Sequence, residues 1–345
     1  MKVGLICDTH YGYKRGSKVF EEYFEKFYSN IFFPSLEEYQ VDTVIHMGDC
    51  FDVRKTIDFN SLEWTKRVVL DPLSKYKVHL TVGNHDTYFK NTNHINSPEL
   101  LLNSYSNIKT YSSPTEIKVG NLDILLLPWI NSDNERKTFE CIQKSSCKVA
   151  MGHLELQGFR VNRQLYMEHG YDSKLFKKFY KVFSGHYHTR SDDGRVFYLG
   201  NPYEMFSNDE KDLRGFTIFD TETLEHFHIN NPYRMFYSFV YDEDNLQIGK
   251  EILECEDKIV KLVVKNKKDY KKFDKFVDNL YGLNPHEVKI VENFEIEELE
   301  DCEELESEDT LSILNKYISE SEVDMDKYIL KSLVQEIYQE SHETI

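Results

Sequence analysis

The stretch Val78-His79-Leu80-Thr81-Val82-Gly83-Asn84-His85-Asp86 decides how the chain is read. An apolar, β-branched run of strand length meets a glycine and passes at once into Asn, His and Asp. It is predicted to be a buried strand ending at Gly83, where the chain turns and presents three polar side chains at the sheet rim.

The same grammar recurs at four other places. Lys2–Cys7 leads into Asp8-Thr9-His10, and Thr43–Met47 into Gly48-Asp49-Cys50-Phe51-Asp52. Val149–Met151 leads into Gly152-His153, and Lys181–Ser184 into Gly185-His186-Tyr187-His188. Five strand-like runs thus deliver Asp, Asn or His at their carboxyl ends, the rim where α/β sheets bind ligands. Any one of these histidines, taken alone, reads better as a satisfied core or surface residue. Five junctions of one kind read as a metal centre. Carboxylates and imidazoles with no cysteine among them suit hard or borderline divalent ions such as Mn²⁺, Fe²⁺ or Zn²⁺.

In that order, Asp8-x-His10, Gly48-Asp49-x-x-Asp52, Gly83-Asn84-His85-Asp86, Gly152-His153 and Gly185-His186-x-His188 resemble the motifs of the calcineurin-like metallophosphoesterases. Within that superfamily the chain most resembles the SbcD-type nuclease subunits, which partner an SMC-like ATPase in double-strand-break processing. The tailed-phage recombination nucleases of that type are the nearest in pattern. Gly48–Lys55, His153–Phe159, Gly200-Asn201-Pro202 and Arg214–Asp220 carry this finer likeness, mostly within the first two thirds of the chain.

The resemblance implies an α/β fold: a four-layer α-β-β-α sandwich with a small β-α-β capping domain and a C-terminal helical pair. It also implies a pair of divalent ions, Mn²⁺ by family habit with Mg²⁺ as the other choice. Asp49 would bridge them, with Asp8, His10 and His188 completing one site and Asn84, His153 and His186 the other. Such a pair promotes in-line hydrolysis of a phosphodiester. His85 would sit beside the leaving group and protonate the departing 3′-oxygen, with Asp86 orienting its ring. Asp52 stands where many SbcD-like proteins carry a histidine that positions DNA, so it and Arg54 are expected to contact substrate. Lys14 and Arg15, just past the first metal loop, read equally as phosphate contacts or as a solvated loop.

The chain of 345 residues, 40% hydrophobic and 14% aromatic, can bury a full core and hold a smaller second unit. No stretch reaches the ~18 uninterrupted apolar residues of a membrane span, and Met1–Cys7 has no signal-peptide pattern. The expected location is cytoplasmic, in a bacterial host if the chain is phage-encoded. Six scattered cysteines, without a CxxC pair, argue for free thiols. Strand alternation turns Cys7 and Cys50 toward the core, away from Asp8 and Asp49.

A net charge of −18 sits awkwardly with DNA binding, which draws on Lys and Arg. Much of it is local, since residues 292–309 hold eleven acids and no base. Tight DNA binding is therefore expected to need a partner.

After the first strand, Val19, Phe20, Tyr23, Phe24, Phe27, Tyr28, Ile31 and Phe32 recur at helical spacing. This stripe is read as a helix on the sheet, with a homodimer contact as the sharper alternative. Helices are also predicted around Phe59–Leu70, Ser97–Leu102 and Arg136–Gln143. Lys109–Tyr111, Glu116–Val119 and Leu122–Pro128 are read as strands of a second sheet. Arg160, Arg163, Lys174, Lys177, Lys178 and Lys181 outnumber Glu168 and Asp172, making the one basic region near the site. Val196–Leu199, Phe216–Phe219 and Glu225–His228 read as short strands.

A nuclease domain is placed at 1–232 and a DNA-side capping domain at 233–291. The latter rests on Lys258–Val264 (strand), Tyr270–Leu280 (helix) and Val288–Val291 (strand). An acidic tether is assigned to 292–309 and a helical ATPase-binding segment to 310–345. In the last, Leu311, Leu314, Tyr317 and Ile318 form one apolar stripe, and Ile329, Leu330, Leu333, Val334, Ile337 and Tyr338 a second. Two short helices after a charged tether need a surface to cover them.

The expected function is a metal-dependent DNA nuclease, exonuclease on duplex ends and endonuclease on single strands or hairpins. It would be the small subunit of an SbcC/SbcD-type heterotetramer in DNA recombination, repair and replication. One alternative keeps the metal site and changes the substrate to a phosphoprotein or small phosphodiester, for which the residues after Pro232 have no use. Another is a non-catalytic DNA clamp for the ATPase, against which the unbroken ligand set stands.

Overall fold

A computed structural model describes residues 1–163, 165–245 and 251–292. The tether beyond 292 and the helical segment 310–345 lie outside the described residues. The strands are β1 (Lys2–Ile6), β2 (Thr43–His46), β3 (Lys77–Thr81), β4 (Ile108–Tyr111), β5 (Thr115–Val119), β6 (Leu122–Leu127), β7 (Val149–His153) and β8 (Lys181–Gly185). They continue as β9 (Ser191–Asp192), β10 (Val196–Tyr198), β11 (Gly215–Asp220), β12 (His226–Asn230), β13 (Phe236–Asp242), β14 (Ile259–Asn266) and β15 (Glu287–Val291). One six-stranded sheet has the order β12-β11-β1-β2-β3-β4 and the other β5-β6-β7-β8-β10-β9.

Period-2 alternation explains how the two sheets stack. Val3, Leu5 and Cys7 share one face of β1 and join Ile45 and Met47. Across the interface they meet Ile124, Leu126, Val149, Met151 and Phe183 from the second sheet. Ile6 and Val44, of opposite parity, face the other way, into a core with the helices. There α1 (Lys18–Phe27) runs through a π-helical turn at Tyr28–Phe32 into α2 (Phe33–Glu38). Phe20, Phe24, Phe27, Tyr28 and Phe32 are buried against this outer face of the first sheet, so the aromatic stripe is core. α3 (Phe59–Thr65), capped by the Asp58 carboxylate on the amides of Asn60 and Ser61, adds Trp64 to the same cluster. α4 (Ser97–Leu101) and α5 (Glu135–Lys144) occupy the other two predicted helical stretches.

The structure corrects two sequence expectations. The strand at Lys109–Tyr111 belongs to the first sheet: β4 runs parallel to β3, Ile108 opposite Val78 and Tyr111 opposite Thr81. A parallel neighbour needs a crossover, and the segment from Gly83 through α4 supplies it. The small unit also has a strand more than the expected β-α-β. In Phe236-Tyr237-Ser238-Phe239-Val240-Tyr241, Phe236, Phe239 and Tyr241 are buried, and β13 pairs in parallel with β14. With β15 it makes a three-stranded sheet, and α6 (Tyr270–Tyr281) packs Phe273 and Leu280 on Phe239, Tyr241 and Leu262. Among the described residues, no helix is long and apolar enough to cross a membrane.

Candidate metal centre

All five junctions open onto one place. β1, β2 and β3 are parallel neighbours, so their carboxyl ends bring Asp8, His10, Asp49, Asn84 and His85 to one rim. β7 and β8, also parallel, bring His153, His186 and His188 to the facing rim. The loops after β1 and β2 are stitched together: the Asp49 carbonyl accepts from the amides of Thr9 (2.9 Å) and His10 (3.1 Å).

The backbone here is held in a region that L-residues avoid. Asp8 (φ 52°), His10 (φ 43°), Asp49 (φ 53°) and His186 (φ 88°) all lie at positive φ. Strain of this kind costs about 1–3 kcal/mol per residue and persists where surrounding contacts enforce it. Two glycines permit the crowding. A Cβ at Gly83 would stand 2.1 Å from Asp49 Oδ1, and one at Gly48 (φ +88°) would stand 2.6 Å from His153 Nδ1. The glycines of Gly48-Asp49 and Gly83-Asn84 are thus demanded by the carboxylate and imidazole beside them.

Donor atoms gather in two adjoining clusters, Asp8/His10/His188 and Asp49/His153/His186, and a third group, His10/Asp52/His85, shares His10 with the first. In the first, His10 Nε2 and His188 Nε2 face each other at 3.1 Å. In the second, Asn84 Oδ1 lies 2.8 Å from His153 Nε2 and 3.0 Å from His186 Nδ1, and Asp49 Oδ2 lies 3.1 Å from His153 Nε2. Asp49 Oδ2 is also 3.9 Å from His10 Nε2, which puts this carboxylate between the clusters. Separations near 3 Å match adjacent donors around a cation with bonds of about 2.1 Å.

Burial makes these groups expensive without a cation. Asp8, His10 and His153 are fully inaccessible, and Asp8 Oδ2 has no hydrogen-bond partner. Burial raises the Asp8 carboxyl and depresses His186 to about 3. Burial also opposes charge on His153 and Asp49, yet their mutual attraction overrides it. His153 is lifted to about 9, and Asp49 is held well below the usual carboxylate range. An orphaned carboxylate oxygen, imidazoles kept neutral at His186 and His188, and a donor set of O and N fit a pair of divalent ions. Cys7 and Cys50 do not take part; both are buried in the core with their thiols pushed up.

A pH prediction follows. In the metal-free protein His153 carries a proton below about 9, and a cation must displace it, since only neutral imidazole ligates. Affinity for the ion that His153 would hold is expected to rise from pH 6 to pH 9, by up to about tenfold per unit, with release of about one proton at that site near neutrality. Calorimetry in buffers of different ionisation enthalpy reads both; pH-independent affinity would count against His153 as a ligand.

Around the ligands, the structure sorts the other expected residues. The His85 amide donates to Asp49 Oδ1 (2.8 Å), and its ring Nδ1 lies 2.7 Å from the Asp52 carbonyl. With Nδ1–H donated there, Nε2 is left for substrate. The Asp52 carboxylate lies 3.2 Å from His10 Nδ1. Asp86 does not orient the His85 ring as expected. Its carboxylate accepts the amides of Gly83 (2.9 Å), Cys50 (2.9 Å) and Phe51 (3.1 Å), tying the loops after β2 and β3 together. Arg54, Lys55 and Arg15 line a pocket of about 630 Å³ next to the site, with Tyr11, Phe51 and Tyr88. In the basic stretch, Arg163 pairs with Asp212 (2.5 Å) and Lys174 with Asp172 (3.2 Å).

Two contributors were missed from the sequence. Trp129 packs its ring 5.1 Å from His186 and 6.0 Å from His153, walling the second cluster. Trp129 directly follows the strand expected at Leu122–Pro128, but nothing in its spacing points to the histidines. His46 is buried with Nε2 2.9 Å from Thr9 Oγ1; burial depresses it to about 3, and it supports the first loop.

A model of the calcineurin-like phosphoesterase family matches residues 1–190. Exonuclease subunit 1 of Enterobacteria phage T4 is 32% identical over 292 residues, covering 81% of each chain. Among solved structures, a dimetal phosphatase from Danio rerio covers 67% of this chain and 98% of its own, at 13% identity and a TM-score of 0.38. An archaeal phosphodiesterase covers 67% and 100%, at 13% identity and a TM-score of 0.34.

Proposed function

The chain belongs to the calcineurin-like phosphoesterase family, and from that premise we propose that it is the nuclease subunit of an SbcC/SbcD-type complex acting in DNA recombination, repair and replication. Family membership and the phage relative support a nuclease-type phosphoester hydrolase that uses divalent metal. The nuclease reading is supported by one observation above all: six His and Asp donors lie in two clusters about Asp49, with Asn84 beside the second and His85 alongside.

Asp49 would be shared by two divalent ions, most simply Mn²⁺. Asp8, His10 and His188 would hold one; Asn84, His153 and His186 would hold the other. The ions, when bound, supply an activated water and neutralise charge on the phosphoryl oxygens. Asn84, a neutral donor, keeps its ion the stronger Lewis acid. Asp52 holds His10 through its carboxylate and His85 through its carbonyl, so both rings keep one orientation. His85 Nε2 delivers a proton to the departing 3′-oxygen. Arg54 binds an adjacent phosphate.

Residues 1–232 form the nuclease domain and 233–291 cap the DNA side. Residues 292–309 are the tether, and 310–345 bind the coiled coil of an SMC-like ATPase within a heterotetramer built on a homodimer. The relative in phage T4 is named a subunit, which supports a partner. Deleting 310–345 is expected to leave Mn²⁺-dependent cleavage of short DNA intact while abolishing co-purification with the ATPase; retained co-purification removes the assignment.

The deciding experiment compares Mn²⁺-dependent hydrolysis of a linear duplex with that of a small chromogenic phosphodiester, with and without the ATPase. Turnover of the duplex is expected. Turnover of the small ester alone, ATPase present, would overturn the nuclease reading.

A further inference from the structure

The loop carrying His186 and His188 has left the sheet, so strand hydrogen bonds do not orient it. Each histidine needs its own anchor. His186 is anchored from inside the centre: its amide donates to Asp8 Oδ1 (2.9 Å). His188 is anchored from outside. Its backbone carbonyl accepts from Arg214 Nη1 and from the Asn201 amide (3.2 Å). A Cβ at Gly200 (φ +71°) would stand 2.7 Å from that same oxygen. The next residue is held too, Thr189 Oγ1 donating to Asp212 Oδ2 (3.3 Å).

Arg214 is the hub. Its side chain is 1% exposed, rare for an arginine. Nη1 also donates to Asn201 Oδ1, and Nη2 donates to Asp209 Oδ1 (2.6 Å) and Asp212 Oδ2 (3.2 Å). Asp209 is in turn fixed by the amides of Met205 (2.8 Å) and Phe206 (3.0 Å). A buried charge paired with two carboxylates is a poor source of stability next to an apolar side chain of its size, the more so with Nε unpartnered, but it specifies geometry. The two stretches Gly200-Asn201-Pro202 and Arg214-Gly215-Phe216 thus meet on a single carbonyl, which belongs to a donor of the first cluster.

We propose that Arg214, with Asn201, is a positioning clamp that sets His188 for the ion of the Asp8/His10/His188 cluster and leaves the Asp49/His153/His186 cluster unaffected. This rests on the two-ion reading above. The asymmetry is the content of the claim: neither residue reaches the second cluster, and His186 on the same loop has a separate anchor.

The test is Mn²⁺ titration of the full chain and of Arg214→Lys and Gly200→Ala, whose added Cβ presses on the His188 carbonyl, followed by calorimetry and by the electron paramagnetic resonance signature of a coupled Mn²⁺ pair. His188→Ala serves as the reference for a lost first site. Loss of an outer contact to a ligand typically weakens a metal about 10- to 100-fold. Each variant is expected to keep one ion at wild-type affinity, to bind the other by that factor more weakly, and to lose the coupled-pair signal at limiting Mn²⁺. Two ions at wild-type affinity in either variant overturn the clamp, as does equal weakening of both ions. If Arg214→Lys fails to fold, Gly200→Ala, which displaces the His188 carbonyl and keeps the buried ion pairs, decides. A wild-type chain that binds fewer than two ions sinks the two-ion reading instead, so the two failures are distinct.

Discussion

Replacing His85 with alanine is expected to leave metal stoichiometry at the wild-type value while slowing duplex cleavage by about 10²- to 10⁴-fold, the range of a positioned general acid. His85 meets the centre through its backbone amide, which donates to Asp49 Oδ1, and alanine keeps that amide. What alanine removes is the ring held on the Asp52 carbonyl, and with it the proton for the leaving oxygen. Calorimetric Mn²⁺ counts and single-turnover cleavage separate the two roles. Metal loss in this variant would show that His85 is a ligand. The loss should also shrink on substrates with a better leaving group, which need no proton.

The second large effect is expected at Asp49. Asp49→Ala should lower binding of both ions together and reduce cleavage by at least about 10³-fold, since two-ion stabilisation is worth several kcal/mol. Asp49 stands between the two clusters: its Oδ2 is 3.1 Å from His153 Nε2 and 3.9 Å from His10 Nε2. The same variant has a metal-free signature. Asp49 is the main group that lifts His153 to about 9, so its removal should bring the imidazole below its usual range as burial takes over. A proton titration of the His153 ring would show that fall. An unchanged His153 would mean that the ion pair is not formed in the apo protein.

The donor set was legible because the chemistry sits at strand ends. Lys2–Ile6, Thr43–His46, Lys77–Thr81, Val149–His153 and Lys181–Gly185 are short and apolar, and each is followed by its polar residues within a turn. Local sequence carries that information. Pairing is less local. Nothing in Lys109–Tyr111 tells whether it lies beside β3 or in the facing sheet, because that depends on where a long crossover returns. The strand at Phe236–Asp242 was hidden by its position directly after the Asn231-Pro232 turn, which read as a boundary. Asp86 failed for another reason. Adjacency to His85 suggested a side-chain partner, but its burial at a three-loop junction gave its oxygens to backbone amides, the cheaper way to satisfy a carboxylate there.

The oxygen donors all stand on the first sheet, and three of the four imidazoles stand on the second. Where the two layers meet in the metal-free chain, a single proton shared between Asp49 and His153 already supplies the attraction that a cation would later provide. Assembly of the sandwich therefore need not wait for metal: the molecule can close on hydrogen ion and exchange it for a divalent cation afterwards, so that apo protein should be folded, storable and competent to be loaded by simple addition of the ion.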